Sequence, residues 1–289
     1  MRVSVLGMGS MGHALAERLS AGGHQLTVWN RSPGKAGDLV AAGATEAGTP
    51  DEAVAAGDAI VISLSDDAAV GAVLLPDGAA RAAVTSQLVV DCTTVSPSTT
   101  RALADAYADH FVAAPIFGGP GAVAAGQAVY CLGGPADAIS RLDPLWSTLG
   151  GNRLPCGEDP VAATTVKVVN NSLLLSGLMA LAEAVATAQA AGLDDAFLID
   201  LFASSALVAP GLHNRLEDMV HGDHDGWFAM PLGAKDLDLF VSLASAAGLD
   251  VAGARTARDQ YRRATDAGLA NADVAGVVEL VRQGRSSSG

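Results

Sequence analysis

The chain has 289 residues, half of them hydrophobic, with 17 basic against 31 acidic side chains and a formal net charge of −14 at pH 7. That is enough apolar material for one large core or two ordinary ones, while the surplus of negative charge repels phosphate backbones and anionic surfaces, so neither nucleic acid nor membrane is an expected partner. The three cysteines, Cys92, Cys131 and Cys156, are odd in number, far apart and without CxxC spacing, which argues against a disulfide framework or a zinc site and makes a reducing cytoplasm the expected location.

The amino terminus, MRVSVLGMGS, passes directly into a strand-like pattern with no signal-peptide h-region, and later apolar runs are broken by charge or glycine before membrane-spanning length. Short β-branched runs then alternate with helical stretches: RVSVLG, a helix over about 11–21, QLTVWN, a helix after Ser32, AIVISL and LVVDCT. Strand, helix, strand at this spacing makes βαβ units and a parallel sheet. Ser32-Pro33, Thr49-Pro50 and Ser96-Pro97 each read as an N-cap followed by proline at the first helical position. FVAAPIF and AVYCLGG extend the same sheet. From about Pro160 strands give way to helices, first one long apolar stretch over 161–191, then segments around 195–207, 235–247, 252–267 and 273–283.

The expected architecture is therefore an α/β Rossmann domain with a doubly wound parallel sheet over 1–160, an all-α C-terminal domain over 161–284 for substrate and dimer contacts, and a disordered tail at 285–289. A helix of about thirty residues that is apolar most of the way round needs cover on several sides, which a second copy can supply. A homodimer through the C-terminal helices is the expected assembly, although a large helical pile within one chain answers the same need.

GMGSMG sets Gly7, Gly9 and Gly12 in the GxGxxG pattern, with Met8, Ser10 and Met11 between them, after a strand and at the start of a helix. That context supplies a tight turn, close backbone approach to a pyrophosphate and helix N-terminal amides facing its charge. Where an NAD site carries a ribose-binding acid, the second strand ends instead in Asn30-Arg31-Ser32, with Lys35 beyond. Arg31 can fork onto a 2′-phosphate, and Ser32 and Lys35 add donors, so NADP (NADPH) is favoured over NAD as cofactor.

ATTVKVVNNSL places Lys167 and Asn171 four residues apart, on one face of the long helix. Chemistry beside a nicotinamide needs a group to take or give the hydroxyl proton as hydride moves, and a lysine serves when its surroundings are tuned for it. Read blandly, Lys167 is a snorkelling lysine, Asn171 a backbone partner and Lys235-Asp236 a surface pair at a helix start.

GMGSMG, DCTTVSP, APIFGGP, KVVNN and GAKDLDL, in that order, resemble the motifs of the β-hydroxyacid dehydrogenases, which include 3-hydroxyisobutyrate dehydrogenase and relatives of 6-phosphogluconate dehydrogenase. The resemblance implies a hydride-transferring enzyme with Lys167 as catalytic acid/base and Asn171 orienting substrate. It further implies that Leu64, Ser65 and Thr93 approach the cofactor, Thr93 also the substrate, and Lys235 the nicotinamide end. Phe117, Gly118 and Gly119 stand where the family grips a substrate carboxylate with a serine and two glycines. Phe117 cannot donate that hydrogen bond, and Ala113 stands where aspartate is common, so a more apolar or bulkier substrate is implied. VWNRSPGKA is also similar to the imine reductases, which reduce C=N bonds with NADPH on the same scaffold but usually carry Asp or Tyr where Lys167 stands. Imine reduction is the alternative activity, and a catalytically silent NADP-binding sensor a further one. His221, Asp223 and His224 lie in a glycine-containing loop without metal-ligand spacing, and no metal is expected.

Overall fold

The computed structural model describes residues 1–284; the expected tail at 285–289 lies outside the described residues. Nine strands form one sheet: β1 (Arg2–Leu6), β2 (Gln25–Trp29), β3 (Thr45–Glu46), β4 (Ala59–Ile62), β5 (Leu88–Asp91), β6 (Phe111–Ala113), β7 (Ile116–Phe117), β8 (Val129–Gly133) and β9 (Asn152–Gly157). Their order is β3-β2-β1-β4-β5-β6-β8-β7, with β9 on β8. The first six are mutually parallel, as βαβ connections require. The sheet is mixed rather than wholly parallel, because β8 runs antiparallel to β6 and β7.

Alternate residues of each strand fill two cores, one on each face. Val3, Val5, Val61 and Val90 join one; Leu6, Ile60, Ile62 and Val89 join the other. Strands buried on both faces read as continuous aliphatic runs, and each such side chain contributes about 1.5–3 kcal/mol on burial. The faces are covered by α1 (Ser10–Ala21), α2 (Gly37–Ala41), α3 (Pro50–Ala56), α4 (Asp67–Leu74), α5 (Pro97–Tyr107), α6 (Pro120–Ala124), α7 (Ala136–Arg141) and α8 (Asp143–Leu149). Thr49 caps α3 in a capping box with Glu52, and Ser96 caps α5 through the Thr99 amide. Ser32 caps nothing: Gly34, at φ +80, bends the chain into a turn, and α2 starts only at Gly37.

Backbone contacts divide the chain into two compact units, the first ending at Lys167 and the second beginning at Val168. The second is helical: the remainder of α9 (Pro160–Ala190), then α10 (Asp195–Ser204), α11 (Leu216–His221), α12 (Met230–Ala246), α13 (Ala252–Ala264) and α14 (Val277–Gln283). Leu175, Leu178, Ala182 and Val185 form the buried stripe of α9, packed with Met230, Leu237 and Val241 of α12 and Tyr261 of α13. Tyr261 satisfies its hydroxyl on the Leu175 carbonyl at 3.0 Å. Contrary to the reading of broken apolar runs, α9 is long enough to cross a membrane and contains an 18-residue stretch of mean hydropathy 1.5, apolar enough to do so by composition alone. Its Leu, Val and Ala residues carry that apolar character, with Lys167 and Glu183 the charged side chains in the 31-residue helix.

Candidate active site

The dinucleotide half is built by close approach of backbone. Gly7, at φ +101, ends β1 and donates its amide to the Trp29 carbonyl at 2.8 Å. A Cβ on Gly7 would lie 2.1 Å from the Ser63 carbonyl oxygen, and one on Gly12 would lie 1.8 Å from that of Gly7. Both glycines are therefore obligatory. At Gly9 a Cβ would meet nothing within 4 Å, so the missing side chain opens space at the N-terminus of α1, which has no side-chain cap and no acid in its first turn. This is a cradle that fits a pyrophosphate. Ser10 is exposed beside Gly9, Met11 half-buried and Met8 buried.

Asn30 holds this cradle to the next loop: its Oδ1 accepts the Met8 amide at 3.0 Å and its Nδ2 donates to the Ser32 carbonyl at 2.9 Å. Its amide thus acts by positioning the two loops. The following turn is held by Glu46, which accepts the Gly34 amide at 2.9 Å, and it leaves Arg31, Ser32 and Lys35 exposed. The sequence assigned Glu46 no role. After β4, the Leu64 amide donates to the Thr93 hydroxyl at 3.1 Å, and the Thr93 amide donates to Asp91 at 2.9 Å. Ser65 is exposed and donates to Asp66, the cap of α4.

Lys167 is half-buried on α9. Its Nζ donates to the Ile116 carbonyl at 2.6 Å and lies 5.5 Å from the centroid of the Phe117 ring. The ammonium therefore does not snorkel freely: β7 meets it with a carbonyl and an aromatic ring. Gly118, at φ +122, and Gly119 follow and lead into α6. Burial pushes the nearby Cys131 thiol up to about 12, with Cys156 adding to the rise and Lys167 opposing it, so Cys131 offers no thiolate at neutral pH.

One turn beyond Lys167 on α9, Asn171 is 4% exposed and its Nδ2 donates to Asp236 at 2.6 Å. Asp236 is 2% exposed and pairs with Lys235 at 3.0 Å. The KD pair is thus neither at a helix start nor on the surface, since α12 begins at Met230 and Asp236 is buried. Asp236 orders both Asn171 and Lys235, a role the sequence did not assign.

Elsewhere in the helical unit, His224 lies 3.0 Å from Glu279 and 3.5 Å from Asp218. Among the described residues no group of three or more His, Cys, Asp or Glu side chains could hold a metal ion. Trp227 stacks on Phe228 and lies under the Arg215 guanidinium, so these rings pack the helical unit.

Residues 2–157 match the NAD binding domain of 6-phosphogluconate dehydrogenase, and residues 162–281 match the NAD-binding domain of NADP-dependent 3-hydroxyisobutyrate dehydrogenase. The chain belongs to the β-hydroxyacid dehydrogenase family. It is an NAD(P)-dependent oxidoreductase of the type that family defines. The NAD-dependent L-serine dehydrogenase of Pseudomonas aeruginosa is 30% identical over 96% of this chain and 97% of its own. The 3-hydroxyisobutyrate dehydrogenase of Salmonella typhimurium superposes with a TM-score of 0.86 at 28% identity, covering 97% of this chain and 99% of its own. An imine reductase from Pseudomonas sp. superposes with a TM-score of 0.64 at 26% identity, covering 96% and 98%.

Proposed function

We propose that this enzyme uses NADP to interconvert a β-hydroxyacid, or a related alcohol, and its carbonyl, with Lys167 as general acid and base. The observation that carries the reading is the Lys167 ammonium held 2.6 Å from the Ile116 carbonyl, on a helix face shared with Asn171. When bound, the nicotinamide supplies or accepts the hydride. Lys167 gives its proton to the carbonyl oxygen in reduction and takes it back in oxidation. Asn171, fixed by Asp236, orients the substrate, and the Gly9 cradle with the α1 amides carries the pyrophosphate.

The absence of an acid at the end of β2 and the exposed set Arg31, Ser32 and Lys35 support NADP over NAD; the relative from Pseudomonas aeruginosa is named for NAD, which makes the preference worth measuring directly. Imine reduction is the second reading, favoured by Phe117 in place of a hydroxyl donor and by the likeness to an imine reductase. Exposed Val169 and Leu173 on α9, Leu173 at 71%, and exposed Phe197 and Leu201 on α10 support the proposal that a second copy covers these helices.

The test is NADPH and NADH consumption with small aldehyde and keto acids, neutral ketones and cyclic imines. We expect kcat/KM to favour NADPH by about tenfold or more, and Arg31→Ala to remove most of that difference with little effect on NADH. A preference for NADH, or none in either protein, contradicts the cofactor assignment; no turnover of any substrate contradicts the activity.

A further inference from the structure

β7 consists of two residues, and both meet Lys167. The Ile116 carbonyl accepts its Nζ proton at 2.6 Å, and the Phe117 ring lies 5.5 Å away. The dipeptide is pinned from behind by antiparallel pairing with β8, Ile116 to Tyr130 and Phe117 to Val129. It is pinned ahead by Gly118, whose backbone at φ +122 no bulky residue adopts readily and where a Cβ would lie 3.0 Å from that of Ala122. Phe117 packs against the core that holds Cys131 and Ala163. Phe117 is therefore held in place, half-exposed, with its ring 5.5 Å from the ammonium.

That placement has a chemical consequence. The face of a phenyl ring carries negative quadrupole, attracts the ammonium and repels a carboxylate. The ring also has no donor, so a carboxylate brought against it loses hydration without gaining a hydrogen bond. An uncharged ester, alkyl or aryl group in the same place loses little and gains apolar contact.

We propose that Phe117 is a specificity-determining residue, by which the site selects carbonyl compounds carrying an uncharged, apolar substituent near the reacting carbon over those carrying a carboxylate there. The inference rests on the proposed reduction of carbonyls at Lys167 and, of the two substrate classes named there, favours the related uncharged alcohols over the β-hydroxyacids themselves.

The test uses 4-oxobutanoate with its methyl ester, and several further aldehyde and keto acids each paired with its own methyl ester. NADPH consumption is measured for the wild type, Phe117→Ser and Phe117→Leu. In each pair the reacting carbonyl is retained while the carboxylate is replaced by an uncharged methyl ester, and the difference in intrinsic reactivity cancels when the acid-to-ester ratio is compared between wild type and variant. The wild type should prefer the ester in kcat/KM by about tenfold or more, and Phe117→Ser should shift the acid-to-ester ratio toward the acid by about 10- to 100-fold. Phe117→Leu, still apolar, should keep the ester preference. NADPH binding, followed by fluorescence, checks that each variant is folded; if Phe117→Ser fails that check, the wild-type and Phe117→Leu ratios decide. A wild type that prefers the acids, or a ratio unmoved in a folded Phe117→Ser, overturns this inference and leaves carbonyl reduction standing. No turnover of any member of any pair overturns both.

Discussion

Lys167→Ala should lower kcat for NADPH-dependent reduction by about 100- to 10,000-fold, the range that a positioned general acid contributes, while NADPH affinity stays within about threefold of wild type. The expectation follows from where the ammonium lies. It is fixed by the Ile116 carbonyl and bordered by Phe117, whereas the cradle for the pyrophosphate is made by Gly7, Gly9 and Gly12 and the start of α1. Lys167→Arg should not restore the rate, because a guanidinium does not release its proton and its planar fork does not fit a site built around one Nζ. Steady-state kinetics with a fluorescence titration of NADPH separates the two quantities. A Lys167→Ala enzyme that turns over at the wild-type rate removes Lys167 from the mechanism.

Asp273→Ala should be the most destabilising single change in the helical unit. Asp273 is buried and accepts from Arg215 Nε at 2.6 Å, Arg215 Nη2 at 3.3 Å, the Phe228 amide at 3.1 Å and the Ala275 amide at 3.1 Å. Removing it leaves a buried guanidinium and two amides without their acceptor, a loss of about 3–5 kcal/mol. Thermal unfolding should show Tm lower by about 10 °C. The paired change Arg215→Met with Asp273→Leu should recover part of this by removing the stranded charge, but not all, since the Phe228 and Ala275 amides remain unserved. A Tm within about 2 °C of wild type for Asp273→Ala means the pair does not hold the unit together.

The strands of the parallel sheet were legible because burial on both faces forces continuous aliphatic runs such as AIVI and LVVD. Thr45–Glu46 and Asn152–Gly157 were not, since one is two residues long at an edge and the other, NRLPCG, is mostly exposed and contains proline. The caps at Thr49 and Ser96 were read correctly from residue and proline, but the same pattern at Ser32 was misleading, because Gly34 two residues on makes a turn instead. Helix α11 and the 3₁₀ turn before it, Pro210–Arg215, escaped notice; PGLHNR has no helical period of its own and is held by Arg215 reaching Asp273, 58 residues away.

At the site, the glycine cradle and the Lys167–Asn171 spacing could be read from local pattern alone. What could not be read were contacts between distant segments. Asp236 looked like half of a surface ion pair, yet it is buried and orders Asn171 across 65 residues. Asn30 was read with the cofactor loop at the end of β2, and the structure shows its side-chain amide bridging Met8 and Ser32. Such residues act through others, and their role depends on which strand ends the fold brings together.

The most direct test of hydride transfer with proton donation from Lys167 is the fate of the label in NADPH deuterated at C4. The purified protein is incubated with the labelled cofactor of each C4 configuration and a carbonyl substrate, and the alcohol is analysed by mass spectrometry. One of the two configurations should deliver a single deuterium to the carbinol carbon in the wild type, and Lys167→Ala should form that same labelled product far more slowly. Oxidation of NADPH without deuterium in any product, or labelled product formed equally fast by Lys167→Ala, would contradict the account.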